Sequence, residues 1–122
     1  MKRLMLASIL GMMLYASVAE ALDYKAYKAA KAIGGTSWSS VRAFVNGVSE
    51  GFNVANADLA GKSRPLLYCQ PVSFALNADN LLAILDAEIK TTEEIAHKPL
   101  PDNMPIQVLL LTGIQDTFPC KT

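Results

Sequence analysis

Residues 105–120 read PIQVLLLTGIQDTFPC, and the fold class turns on how this stretch is interpreted. The run VLLLTGI at 108–114 alone suits a buried strand as well as a buried helix, because a short apolar run has no decisive period. Its surroundings favour a helix. Pro105 suits a first helical position, where its missing N–H is not needed. Ile106, Leu109, Leu110, Gly113 and Ile114 then recur at three and four residues, giving one broad apolar face. The run to Phe118 is long for a strand, and Pro119 stops it just before Cys120.

Working back along the chain, HKPLPDNMP at 97–105 reads as a loop. Pro99, Pro101 and Pro105 remove backbone donors and forbid a continuous helix. Before it, NADNLLAILDAEIK at 77–90 places Leu81 or Leu82, Leu85 and Ile89 on one helical face, with Asn77 or Asp79 as its cap. TTEEIAH at 91–97 either continues this helix or starts a new turn, since Thr91 with Glu94 fits a capping box. Asp86, Glu88, Glu93 and Glu94 read as its solvated side.

Further upstream, Val41, Phe44 or Val45, Val48, Phe52 and Ala55 predict another amphipathic helix that ends in ADLAGKSRP at 57–65. Beside its apolar face run Gly47, Gly51 and Ala55. Two glycines inside a helix cost roughly 1 kcal/mol each, which points to close approach of another backbone, either as helix packing or as a dimer face. LDYKAYKAAKA at 22–32 predicts a short helix on the domain surface, with Tyr24 and Tyr27 at three-residue spacing. Gly34 and Gly35 end it, and Thr36, Ser37, Ser39 and Ser40 are candidate caps. The expected fold class is therefore all-α, a small bundle of about four helices.

The first residues address localisation. Lys2 and Arg3 precede an apolar run from Leu4 to Val18, and Ala19-Glu20-Ala21 has small residues where a signal peptidase reads. The run is short for a membrane span. Residues 1–21 therefore read as a cleaved signal peptide and 22–122 as a single domain in the periplasm. From Leu22 onward there are nine Lys and Arg against ten Asp and Glu. That balance offers no basic patch for nucleic acid and no charge run for a membrane surface.

The chain has two cysteines, Cys69 and Cys120. In an oxidising compartment they pair with each other in most such domains, the alternatives being an intermolecular bridge or free thiols. On the chain-entropy account an internal pair disfavours the unfolded state by about 4 kcal/mol. It would staple the connection LLYCQPVS at 66–73 to the end of the last helix.

Catalytic chemistry finds little foothold. His97 is the one imidazole, and no ligand spacing accompanies it, so no metal or cofactor site is expected. Serines are plentiful, but none lies in a GxSxG motif. The expectation is a binding protein and not an enzyme. One surface suited to binding is the 97–105 loop, where proline limits disorder and Asp102, Asn103 and Met104 can be presented at reduced entropic cost.

Three stretches together, FVNGVSEGF at 44–52, YCQPVSFALNADNLLAILDAEI at 68–89 and PIQVLLLTGIQDTFPC at 105–120, resemble the Rap/Tai family of periplasmic immunity proteins. The likeness runs from Phe44 to Cys120. It rests on the glycine-bearing helix with Gly47 and Gly51, the Cys69-x-Pro71 connection, an aliphatic helix, and the Phe-Pro-Cys close at Pro119 and Cys120. The resemblance implies a small, disulfide-bonded, all-helical protein, in several members a homodimer. It implies binding to a type VI secretion effector, notably a peptidoglycan amidase, and occlusion of its active site. By position alone, the loop before the last helix, with Lys98, Leu100, Asp102, Asn103 and Met104, would be the toxin-binding element. A different expectation for a short, helical, single-disulfide periplasmic protein is a stress or acid chaperone that binds unfolded proteins.

Overall fold

The computed structural model describes residues 22–121, so the expected signal segment lies outside the described residues. Four helices follow in order: α1 (Tyr24–Ile33), α2 (Gly35–Gly61), α3 (Ala78–Ala96) and α4 (Ile106–Thr117). Among the described residues there is no strand, only an isolated antiparallel bridge between Asp23 and Pro105. The protein is an all-α bundle, as the periodicity predicts.

Helix α4 supplies the centre of the core. Ile106, Leu109, Leu110, Gly113 and Ile114 are all buried, the five positions expected from the three- and four-residue spacing. Pro105 sits one position earlier than expected: its backbone is extended and it caps the helix from outside, so the first helical residue is Ile106. Helix α3 lies against α4 with Leu81, Leu82, Leu85 and Ile89 inward. Asn77 is its cap, its side-chain oxygen accepting from the Asn80 amide at 3.0 Å. Asp79 instead pairs with Arg42 of α2 at 2.5 Å. The helix continues unbroken to Ala96, so Thr91 and Glu94 start no new turn.

Helix α2 starts at Gly35 and not at Val41. The expected break between the first two helices shrinks to Gly34, whose φ of 72° only glycine adopts freely. Ser39 and Ser40 do not cap anything; their hydroxyls donate back to the carbonyls of Gly35 and Thr36 inside the helix, each at 3.1 Å. Val41, Val45 and Ser49 face the core. Phe44, Val48 and Phe52 are half-buried against it, while Ala55 is exposed.

The glycine stripe does not do what its spacing suggests within the chain. Gly47 and Gly51 are exposed, and a Cβ at either would meet no neighbouring atom within 4 Å. The close approach occurs at Gly113, where a Cβ would come within 2.9 Å of Ile84 Cγ2 and 3.2 Å of the Ile84 carbonyl oxygen. Only a hydrogen at this position lets α3 and α4 meet so closely. Spacing finds a permissive helix surface, but only the facing element makes a glycine necessary.

Helix α1 is more deeply tied in than a surface helix. Tyr24, Tyr27 and Ala30 are buried. The Tyr27 hydroxyl donates to Asp86 at 2.7 Å and the Tyr24 hydroxyl to Glu93 at 3.2 Å. Lys31 joins the same Asp86 at 2.6 Å. The side of α3 that reads as solvated is thus divided. Asp86 and Glu93 are half-buried partners of α1, whereas Glu94 is exposed, with Lys90 3.8 Å away.

Candidate functional site

The 97–105 loop begins where α3 ends on His97, whose φ of 52° puts it in the left-handed region usually occupied by glycine or asparagine. The Lys98 amide then donates to the Glu93 carbonyl at 3.3 Å, and the Leu100 amide donates to Glu93 Oε1 at 3.0 Å. A tight turn follows, closed by the Met104 amide on the Pro101 carbonyl at 3.0 Å. The three prolines leave few amides to satisfy, and these bonds take up those of Lys98, Leu100 and Met104.

The other side of the loop is bonded to the start of α1. The amides of Tyr24 and Lys25 donate to the carbonyls of Met104 and Asp102 at 2.9 and 3.0 Å. The Ile106 amide donates to the Leu22 carbonyl at 3.0 Å. On the outside Lys28 pairs with Asp102 at 3.0 Å and lies over the Tyr24 ring, 4.3 Å from its centroid. The Asp102 carboxylate raises the pKa of Lys28 by accepting its hydrogen bond.

The five loop residues expected to meet a partner therefore separate into two groups. Lys98, Asp102 and Asn103 are exposed. Leu100 is only 7% exposed and belongs to the core, and Met104 is half-buried against it. Those two are corrections to the expected contact set: an apolar side chain in a loop tied down on both sides gains more by filling the core than by facing water. Periodicity places Tyr24 on a surface helix and Glu93 on a solvated face and says nothing of Lys28, yet these three hold the loop. For Tyr24 and Lys28 the trace in the sequence is YKAYKAAK at 24–31, which repeats tyrosine and lysine at three-residue spacing along α1; Glu93 has none.

At the far end of α4, Cys69 and Cys120 are bonded, with their Cα atoms 4.9 Å apart. The Cys69 amide also donates to the Phe118 carbonyl at 2.8 Å. Upstream, the Asn56 side chain of α2 bridges two backbone groups of the same connection. It accepts from the Leu67 amide at 2.7 Å and donates to the Tyr68 carbonyl at 3.0 Å. Tyr68 is buried and donates its hydroxyl to Asn53 at 2.7 Å.

Tyrosine electrostatics follow from these positions. Burial first, then the hydrogen bond to Asp86, pushes Tyr27 far above an ordinary phenol. Burial and then Glu93 raise Tyr24, and burial followed by the charge of Glu50 raises Tyr68.

Two surface grooves lie among the described residues. One of about 410 Å³ lies between α1 and α2, lined by Leu22, Ala26, Val41 and Phe44 among others. The other, of about 240 Å³, runs over Gly113 beside Glu88 and Asp116. Among the described residues no three His, Cys, Asp or Glu side chains come together as a metal site would need. No helix among them is long and apolar enough to cross a membrane. Comparison of the chain with family models, with curated proteins and with solved structures returns no match.

Proposed function

We propose that the protein is a periplasmic immunity protein that binds a type VI secretion effector, a peptidoglycan amidase, and occludes its active site. The observation that carries this reading is the preorganised 97–105 loop. It is bonded to α1 and to Glu93, yet leaves Lys98, Asp102 and Asn103 in solvent. Steric inhibition requires no chemistry of the inhibitor, only a complementary surface that loses little freedom on binding. The disulfide lies at the opposite end of α4 and fixes the helix on which the loop is mounted.

Supply of the amidase to the periplasm of cells with and without this protein tests the proposal. Survival with the protein and lysis without it are expected, and Lys98→Glu combined with Asn103→Ala should reduce the protection. Equal lysis in both strains overturns it. Equal lysis together with a rise in apolar-dye binding at acid pH would instead favour the chaperone alternative.

A further inference from the structure

A helix begins with amides that its own turns cannot satisfy. In α1 the Ala26 amide uses the Asp23 carboxylate at 2.8 Å, an ordinary cap. The Tyr24 and Lys25 amides have no such local partner. They are satisfied by the carbonyls of Met104 and Asp102, so the 97–105 loop is itself the cap of α1. Neither element is complete without the other.

A second hold crosses beneath the first. Glu93 Oε1 accepts from the Tyr24 hydroxyl at 3.2 Å and from the Leu100 amide at 3.0 Å. One oxygen on α3 thus ties an α1 side chain to the loop backbone at the point where Leu100 enters the core. Hydrogen bonds to a carboxylate are stronger than neutral ones, and this carboxylate is half-buried. The outer Lys28–Asp102 pair is about half exposed on the lysine and more so on the aspartate, and a solvated pair of that kind holds weakly.

We propose that Glu93 is the positioning residue of the loop. Through Tyr24 and the Leu100 amide it sets the conformation in which Lys98, Asp102 and Asn103 are offered to a protein partner. The consequence for binding rests on the function proposed above, while the positioning stands on the geometry alone.

Backbone amide exchange of the purified, partner-free protein tests it, with Glu93→Ala, Glu93→Gln and Tyr24→Phe beside the wild type. Glu93→Ala should speed exchange at the amides of Leu100, Tyr24 and Lys25 by roughly tenfold or more, with the interiors of α2 and α4 unchanged. Glu93→Gln keeps an acceptor oxygen and should recover most of that protection. Should Glu93→Ala fail to fold, Tyr24→Phe removes one donor only and should speed the same loop amides by a smaller factor.

Unchanged loop exchange in Glu93→Ala overturns the proposal. So does a loss spread evenly over all four helices in both Tyr24→Phe and Glu93→Gln, because that pattern belongs to general stability. Faster loop exchange with undiminished inhibition of the amidase keeps the positioning role and overturns the docking reading of the loop.

Discussion

The two long connections of this bundle are held at opposite ends of α4 by different means. Sixteen residues separate α2 from α3, and nine separate α3 from α4. The longer one is held by a covalent bond and by side chains: Cys69 to Cys120, Asn56 across the backbone at 67 and 68, and Tyr68 on Asn53. Past these anchors Val72 is fully exposed at its tip, and the connection then returns Phe74 and Leu76 to the core, with the Phe74 ring 5.0 Å from that of Phe118. The shorter one is held by backbone hydrogen bonds to α1 and by the Glu93 carboxylate, and it returns Leu100 and Met104 to the core. Three prolines narrow its freedom before folding, so less entropy remains to be offset. A constrained loop can be ordered by a few weak bonds, whereas a longer and less constrained one is ordered here with a crosslink.

The largest expected effect comes from breaking the covalent end. Cys120→Ser should lower stability by about 4 kcal/mol on the loop-entropy account. In a domain of this size that is a fall in melting temperature of roughly 15–25 °C under non-reducing conditions. Exchange at the Leu100 amide should stay protected below the melting transition. An unchanged melting temperature would remove the crosslink from the account of stability, and loss of Leu100 protection would show that the two ends are not independent.

Alkaline pH should act on both ends together. Tyr24 anchors the loop end, Tyr27 ties α1 to the middle of α3 and Tyr68 holds the disulfide end, and all three have raised pKa values in the folded protein. A raised folded pKa contributes stability that is complete below the unfolded value near 10 and is lost as pH climbs above it. Tyr27, raised furthest of the three, should contribute most to that loss. Thermal melts from pH 8 to pH 11 should fall steeply past 10 in the wild type and less steeply in Tyr27→Phe. Parallel curves would sink this assignment.

The smallest effect belongs to the outer ion pair. Lys28→Ala should leave the denaturant midpoint almost unchanged, because both partners are largely solvated. A larger loss in denaturant titration would mean that Lys28 acts through its stem on Tyr24 and not through its charge.

Much of this architecture is legible along the chain. The buried faces of α3 and α4 follow from spacing, the second connection from its prolines, and the cap of α3 to within Asn77 or Asp79. Errors cluster where one element needs another to define it. Helix α2 starts ahead of its apolar pattern because Gly34 and Gly35, both at positive φ, make the turn and the serines after them join the helix. Gly47 and Gly51 have the spacing of a packing face, but Gly113, with no such pattern around it, is the position that another helix touches. Of the candidate loop residues, Lys98, Asp102 and Asn103 are exposed as a contact surface requires, while Leu100 and Met104 turn inward.

By itself, then, the sequence determined the all-α class, the four helices found among the described residues, which face of each long helix is apolar, and the one internal pairing open to its two cysteines. These properties are local or combinatorial: a period of 3.6, a missing amide at proline, a count of two. Tertiary structure alone decided that the Met104 and Asp102 carbonyls cap α1, that Glu93 joins α1 to the loop, and that Gly113 is where α3 and α4 come closest. An amphipathic pattern states that a face must be covered, and only the packed neighbours settle what covers it.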